Sequence, residues 1–187
     1  MKEGLVITGI CLALILFYGL LTYVKFVSLR KRVRCQMEQI DLQLRKRYDM
    51  AYRLTDDAKR YVPDERDAIE NVVRARLIAM GRNDISEKAR DNEKLQESII
   101  EMVSLLEKAS DNGAESTISE RNSQIEQIND QIQSAEAYYN DTVYKYNKSI
   151  ESFPGNIVAR IGRFYKARPF VCDGEEADNL GYAMRIL

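Results

Sequence analysis

The hydrophobic residues divide the chain into one uninterrupted apolar run and a longer region of regular alternation. Residues 4–24 are uncharged and mostly apolar. As a helix that rises 1.5 Å per residue they span about 31 Å, the thickness of a bilayer hydrocarbon core. Tyr18 and Tyr23 lie toward the C-terminal end of the run, where aromatic rings favour the membrane interface. The pattern predicts a single transmembrane helix after a short flank, residues 1–3.

The residues after this run favour an uncleaved anchor over its two alternatives, a cleaved signal peptide and a buried core helix. A signal peptide has a shorter apolar stretch that ends in small residues before a cleavage site. This run continues instead into Lys25, followed by Arg30, Lys31, Arg32 and Arg34. Because positive residues stay on the cytoplasmic side, we expect the N-terminus outside and the body in the cytoplasm, at the cell (inner) membrane.

Beyond the apolar run, hydrophobic residues recur in alternating steps of four and three, the spacing of helices that pack along one seam. Pro63, Gly81 and the Asn112-Gly113 pair divide residues 25–153 into four helices, and Pro154 ends the last. The predicted seam of the first helix consists of Val33, Met37, Ile40, Leu44, Ala51, Leu54, Ala58 and Tyr61, and that of the second consists of Ile69, Val72, Val73, Leu77 and Met80. The seam of the third helix consists of Leu95, Ile99, Met102, Leu106 and Ala109. The seam of the fourth consists of Ile118, Ile125, Ile128, Ile132, Ala135, Tyr139, Thr142, Tyr146, Ile150 and Phe153. Ser86 is the predicted N-cap of the third helix, and residues 111–117 are the predicted loop before the fourth.

Seams joined by short connections predict an all-α protein in which the transmembrane helix continues into an antiparallel, left-handed bundle of long heptad helices. An extended dimeric coiled coil is the alternative, since strict heptads also suit that structure. In the bundle, the first helix leads away from the membrane and the fourth returns to it. The chain after Phe153 should therefore lie near the bilayer.

Residues 154–170 form a basic segment without an acidic residue. On a helical wheel one arc of about 120° is apolar and the opposite arc is basic; the two sets are Ile157, Val158, Ile161, Phe164 and Tyr165, and Arg160, Arg163 and Lys166. Such a helix either lies on a membrane surface or caps the open end of the bundle, and the return of the fourth helix favours the membrane. The predicted lipid-surface residues are Arg30, Lys31, Arg32, Arg34, Arg160, Arg163, Lys166 and Arg168. Residues 171–187 form a polar tail that is either disordered or a partner-binding peptide.

Charge is strongly polarised along the chain although the net charge is only −1, from 28 basic and 29 acidic residues. Residues 1–37 and 152–172 together hold ten basic residues and one acidic residue, which leaves 18 basic and 28 acidic residues elsewhere. Each basic residue close to an anionic membrane contributes roughly 1 kcal/mol of attraction. The acidic bundle would repel phosphate. Membrane lipids are therefore predicted partners, and nucleic acid is not.

Composition argues against an enzyme. The chain has no His, so it has neither a Ser-His-Asp or Cys-His pair nor a His-ligated metal. Its cysteines, Cys11, Cys35 and Cys172, are too far apart for a CxxC motif. The paired carboxylates, Asp56-Asp57 and Glu175-Glu176, are typical of solvated surfaces, and no glycine-rich phosphate loop is present. We expect no catalysis, no cofactor and no small-molecule substrate.

Two polar blocks, residues 39–49 and 139–156, carry the most specific pattern in the chain. The first reads QIDLQLRKRYD, and the second begins YNDTVYKYN and ends SFPGN. Together they resemble the Q-V-D-x-Q-L-x-R-R-Y-D and Y-N-x-x-V-x-x-Y-N…S-F-P-x-N blocks of the LemA family of bacterial membrane proteins. The resemblance implies a helical bundle on a single membrane anchor, with no established enzymatic activity. Some members of the family are associated with magnetosome membranes.

The chain also departs from the family pattern on its first soluble helix. Met37 stands where the family usually has Trp, and Met50–Leu54 replaces a Leu-Ile-Pro-Asn-Leu step. Without that Pro we expect a straighter helix, with Tyr52 outside the seam.

The polar residues of the two blocks flank the seams of the first and fourth helices: Asp41, Arg47, Asp49, Asn140 and Asn147. We predict that they form a hydrogen-bonded layer that sets the register of this antiparallel pair, as buried polar groups do in coiled coils. The alternative is a polar groove that recognises a partner.

Two functions compete on these grounds. The first is a non-enzymatic scaffold or protein-interaction module at the membrane, with bundle faces that bind protein partners or a second copy. The second is a membrane-shaping or anionic-lipid-sensing role, including one at a magnetosome-type membrane, which depends on residues 157–168.

Overall fold

The computed structural model of the protein describes residues 2–109 and 115–171. Within these ranges the chain forms five helices and no strand: α1 (Lys2–Tyr61), α2 (Arg66–Met80), α3 (Ile85–Lys108), α4 (Glu115–Glu151) and α5 (Gly155–Ile161). The predicted all-α class is confirmed. Residues 172–187 of the predicted tail, with Cys172 and Glu175-Glu176, lie outside the described residues, as do residues 111–114 of the predicted loop.

The predicted anchor forms the start of α1, which continues without a break into the bundle. α1 is the one helix among the described residues that is long and apolar enough to cross a membrane. Its most apolar window has a mean hydropathy of 2.5, and none of that window is buried by the rest of the protein. A core helix of a soluble protein would be covered by other elements, so this exposure fits a membrane anchor better.

The bundle consists of the long pair α1 and α4, with the α2–α3 hairpin packed against it. Arg121 donates to Asp57 Oδ2 at 2.9 Å, and Lys46 donates to Gln131 Oε1 at 3.2 Å. Residue numbers therefore rise along α1 as they fall along α4, which makes the pair antiparallel, as predicted.

The main core follows the seams predicted for α1, α3 and α4. Its buried members include Ile40, Leu44, Ala51, Leu54, Ala58, Leu95, Ile99, Met102, Leu106, Ile118, Ile125, Ile132 and Tyr139. Full burial of a side chain the size of Leu contributes about 1.5–3 kcal/mol, so this continuous seam is the main source of stability. Tyr52 lies outside the seam and is exposed, as expected.

The predicted apolar face of α2 is wrong at most of its positions. Val72 is buried and Ile69 packs partly against the core, but the other predicted residues, Val73, Leu77 and Met80, are exposed. The buried face of α2 contains Ala68, Val72 and Ala79, which share one side of a helix. Small side chains let α2 lie close to its neighbours, and the larger apolar residues face outward.

Two helix ends differ from the sequence predictions. Asp84, and not Ser86, caps α3: its Oδ1 accepts from the backbone N–H of Ser86 at 3.1 Å and of Glu87 at 3.4 Å. A carboxylate at this position both pairs the free N–H groups and complements the helix dipole. α4 begins at Glu115, inside the predicted loop, and ends at Glu151 rather than at Phe153.

After α4 the chain turns and packs against α1 at the end of the apolar run. Phe26, Tyr146, Ile150, Ala159 and Phe164 form a second, smaller core there. The ring of Phe164 lies edge-on to Tyr23 and to Phe26, each at a centroid distance of 5.4 Å. The chain after Phe153 is thus placed beside the predicted membrane exit, as the path of the helices implied.

Gly155 sets how closely α5 approaches α1. A Cβ at this position would lie 2.8 Å from the backbone O of Ser149 and 3.1 Å from Cζ of Phe26. Gly155→Ala is therefore expected to lower the free energy of unfolding by about 1–3 kcal/mol through overpacking, measured by urea unfolding of the full-length protein. Gly81→Ala is the control, because its Cβ would meet nothing nearer than 3.6 Å. Equal losses in the two variants would contradict the prediction.

Candidate functional site

A buried arginine joins helices in the middle of the bundle. Arg47 of α1 is 8% exposed. Its Nη1 donates to the backbone O of Asn92 in α3 at 3.2 Å, and its Nη2 donates to Oδ1 of Asn129 in α4 at 3.1 Å. The hydroxyl of the adjacent Tyr48 accepts from Nδ2 of Asn92 at 3.0 Å and donates to the backbone O of Ala79 in α2 at 3.3 Å. The Arg47-Tyr48 pair thus links α1 to α2, α3 and α4.

A polar cleft of about 350 Å³ opens beside Arg47. Its other lining residues come from α3, α4 and the C-terminal segment: Ala89, Asn92, Glu93, Gln96, Asn129, Ile132, Gln133, Glu136, Asn140, Phe170 and Val171. Arg47 Nε, Asn92 Oδ1 and Gln96 Oε1 are buried and have no hydrogen-bond partner among the described residues. Buried polar atoms of this kind are usually satisfied by ordered water or by a polar ligand.

The cleft does not have the composition of a metal site. No cluster of three or more Cys, Asp or Glu that could hold a metal ion occurs among the described residues. Desolvation lowers the pKa of Arg47, against the attraction of Glu136. Burial raises the pKa of Glu136, against the attraction of Arg47, and Glu93 adds to the rise. Burial therefore disfavours both charges, and the two side chains do not form a direct ion pair.

The raised pKa of Glu136 predicts a pH-dependent loss of stability. Because the folded-state pKa lies above the unfolded value, the folded protein binds this proton more tightly, and stability falls as pH rises between the two values. Glu136→Gln removes that loss. The variant is expected to melt at a higher temperature than the wild type at pH 7 and at a similar temperature at about pH 4, where an ordinary glutamate is mostly protonated.

Thermal unfolding followed by circular dichroism across this pH range tests the prediction. Glu126→Gln is the control, since Glu126 is an exposed residue of the same helix. A Glu136→Gln effect that does not change with pH, or that Glu126→Gln reproduces, would contradict the assignment.

The structure does not bring the five predicted register residues into one layer. Asp41 accepts from Nζ of Lys88 at 2.7 Å and so ties α1 to α3. Asp49 is exposed. Arg47 does reach α4, but through Asn129; Asn140 and Asn147 bind a different part of the chain. The hydrogen-bonded group around Arg47 also contains three residues that the sequence did not predict: Tyr48, Asn92 and Asn129.

Asn140 and Asn147 bind the main chain that follows α5, residues 164–171, which we call the strap. Oδ1 of Asn140 accepts from the N–H of Phe170 at 2.7 Å, and its Nδ2 donates to the O of Phe170 at 3.2 Å. Asn147 makes the same two bonds with Ala167, each at 2.9 Å. Each amide side chain thus pairs both backbone groups of one residue, as a neighbouring β-strand would.

Two tyrosines complete the pattern. Tyr139 Oη donates to the O of Arg168 at 2.8 Å, and Tyr146 Oη donates to the O of Tyr165 at 2.9 Å. Seven helical residues advance about 10.5 Å, and three extended residues advance about 10 Å. Tyr-Asn pairs at heptad spacing therefore match steps of three along the strap. We call these four side chains the clamp.

The predicted membrane-surface residues surround the anchor end of the bundle, and all of them are exposed: Arg30, Lys31, Arg32, Arg34, Arg160, Arg163, Lys166 and Arg168. Lys166 pairs with Glu151, and Arg168 pairs with Asp84 at 3.1 Å. Exposed pairs of this kind are weak, so they leave the side chains available to another anion.

The predicted amphipathic helix is shorter than its sequence pattern. α5 ends at Ile161 with Gly162 as its C-cap, since glycine is a poor helix former. Val158, Ala159 and Phe164 pack against the bundle. The exposed side carries large apolar residues: Phe153, Ile157, Ile161 and Tyr165. The segment therefore caps the bundle on one side and presents an apolar row on the other. Phe153, which the hydrophobic spacing placed on the seam of the fourth helix, is 80% exposed.

The family model described as the LemA family matches residues 36–180. The chain belongs to the LemA family. The LemA match begins after the apolar run and includes both Arg47 and the clamp. Among individually curated proteins, none matches the chain.

Proposed function

We propose that this LemA protein is a non-enzymatic scaffold, anchored in the inner membrane, whose cytoplasmic bundle binds other proteins through α2. The exposed apolar face of α2 supports this role, since Val73, Leu77 and Met80 lie together on a helix that the other helices cover on its opposite side. α2 follows the end of α1 that is farthest from the apolar run. A soluble partner can reach this face without approaching the membrane.

The turn between α1 and α2 indicates what kind of partner fits. An apolar groove of about 370 Å³ is lined there by Lys59, Pro63, Arg66, Ile69, Glu70 and Val73. Arg74 pairs with Glu70 at 2.7 Å, and Lys59 pairs with Asp56 at 3.7 Å. Among the lining residues this leaves Arg66 as the cation with no ion pair within the part of the chain that the structure describes. A segment with an apolar anchor residue flanked by acidic side chains complements this surface.

Site-specific photocrosslinking in native membranes tests the scaffold role. A photoreactive residue at Leu77, which is 60% exposed, is expected to crosslink to a defined protein. The control position is Ile100 of α3, which is 57% exposed and should give no such product. Charge reversal by Lys59→Glu and Arg66→Glu should weaken the Leu77 crosslink severalfold.

If Leu77 gives no protein crosslink, or if Ile100 forms the same product, the scaffold role is ruled out. A Leu77 product that is insensitive to the charge reversals would contradict an acidic partner segment. A product between two copies of the chain would assign the face to self-association instead.

The corner formed by α5 favours a second function, contact with anionic lipid. Phe153, Ile161 and Tyr165 are almost fully exposed beside the end of the apolar run. Arg160 and Arg163 neighbour them in the chain. An apolar row bordered by basic side chains is typical of segments that lie in the headgroup region, and such contact would suit a membrane-shaping or lipid-sensing protein.

The chain has no Trp, so one introduced Trp reports on its own site alone. Ile161→Trp in the full-length protein, in vesicles of phosphatidylglycerol and phosphatidylcholine, is expected to emit at shorter wavelength and to be quenched by brominated acyl chains. Ile100→Trp is the control and should show neither effect. Equal quenching of the two variants would exclude lipid contact by α5.

A further inference from the structure

A second groove lies between α1, where it leaves the predicted membrane span, and the end of α4. Its volume is about 460 Å³. It is lined by residues of α1 and of the α4–α5 corner: Tyr18, Leu21, Thr22, Lys25, Phe26, Lys148, Ser149, Ser152, Phe153 and Gly155. The groove thus starts inside the apolar run and ends at the base of the bundle.

The lining changes from apolar to basic along α1. Tyr18 and Leu21 lie within the apolar run, and Lys25 is the first charged residue after it. Their spacings of three and four place them on one face of the helix. A phospholipid beside a transmembrane helix presents the same order, acyl chains first and phosphate at the interface.

Two lysines supply the positive charge of the groove. Within the part of the chain that the structure describes, neither Lys25 nor Lys148 forms an ion pair, and no acidic residue lines the groove. Lys148 Nζ lies 5.7 Å from the ring centroid of Tyr144. Two cations that line one groove, with no acidic residue in its lining, attract an anion.

The serine hydroxyls of the groove are already engaged. Ser149 Oγ donates to the O of Lys145 at 2.8 Å, and Ser152 Oγ donates to the O of Lys148 at 2.7 Å. The serines therefore have no free hydroxyl proton for a phosphate. The ammonium groups of Lys25 and Lys148 are the charged donors of the lining, which favours an anionic lipid.

We propose that this groove binds one anionic phospholipid, with its phosphate between Lys25 and Lys148. The acyl chains lie along Tyr18 and Leu21. This inference rests on the proposed membrane anchor and gives that anchor a specific lipid partner. A lipid held here contacts both α1 and the α4–α5 corner, and so holds the bundle in one orientation relative to the bilayer.

Native mass spectrometry of the full-length protein tests the site. The protein is reconstituted in nanodiscs of equal parts phosphatidylglycerol and phosphatidylcholine, and the lipid retained on release is identified. The wild type is expected to retain phosphatidylglycerol selectively. Lys25→Gln with Lys148→Gln should reduce that retention about thirtyfold, whereas Lys25→Arg with Lys148→Arg should preserve it.

The matched control is Arg45→Gln with Lys145→Gln, which removes two exposed charges from the same two helices, α1 and α4, without touching the groove lining. Ser152→Trp fills the groove and keeps both lysines, so it should also reduce retention. The proposal is overturned if the control variant loses as much lipid as the lysine variant, or if the wild type shows no selectivity. Failure of the protein to enter nanodiscs would instead refute the anchor itself, and the lipid site with it.

Discussion

Replacing Arg47 with alanine is expected to lower the free energy of unfolding by about 3 kcal/mol, which is severe for a single substitution. The variant removes the donors that pair the backbone O of Asn92 and Oδ1 of Asn129. It leaves these acceptors without a protein donor, and it leaves a cavity where the long side chain lay. Urea unfolding of the full-length protein in detergent, followed by circular dichroism, measures the loss.

Two further variants separate the hydrogen bonds from packing and from charge in general. Arg45→Ala changes an exposed neighbour and should alter stability by less than about 0.5 kcal/mol. Arg47→Met keeps most of the side-chain volume but no donor, and should still lose more than about 1 kcal/mol because the two acceptors stay unpaired. Wild-type stability of Arg47→Met would show that Arg47 acts only by filling space.

Periodicity predicted the helices that bury one continuous face. α1, α3 and α4 each present a single apolar side to the core, so the hydrophobic spacing identified both the helix and its buried residues. Pro63 also marked the end of α1 correctly, because a proline cannot continue the hydrogen-bond ladder.

The hydrophobic spacing of α2 indicates the wrong face because this helix carries two candidate faces. A hydrophobic pattern gives most weight to large residues such as Leu77 and Met80, yet the face toward the bundle contains Ala68 and Ala79. Which face is buried depends on how closely α3 and α1 approach, and that distance is not encoded in α2 itself. The large apolar residues left outside mark a surface available to a partner.

The contacts of Asn140 and Asn147 could not be predicted from the sequence, for a different reason. An asparagine amide offers a donor and an acceptor to any neighbour, so its partner depends on the path of the chain after Gly162. No periodicity describes the strap. The sequence did contain one signal for these contacts, a Tyr-Asn pair that repeats at heptad spacing. Residues that only set the register of two helices do not require such a repeat.

Removing both clamp amides by Asn140→Ala and Asn147→Ala is expected to release the strap. The double variant loses four hydrogen bonds to Ala167 and Phe170. At roughly 1 kcal/mol each, this predicts a loss of about 3–4 kcal/mol in the free energy of unfolding. Hydrogen exchange followed by mass spectrometry should show that the amides of Ala167 and Phe170 exchange at least about a hundredfold faster.

The control for the clamp is Asn122→Ala, an asparagine of the same helix whose Nδ2 bonds Glu107 at the surface. It should leave the exchange of the strap unchanged. Asn147→Asp keeps an acceptor for the N–H of Ala167 but loses the donor to its O, so it should give a smaller effect than Asn147→Ala.

Because Phe170 also lines the Arg47 cleft, release of the strap should expose Glu136 and shrink the pH-dependent difference between wild type and Glu136→Gln. If the strap amides exchange at the wild-type rate in the double variant, the side-chain amides do not hold the strap, and packing of Phe164 and Phe170 must hold it instead.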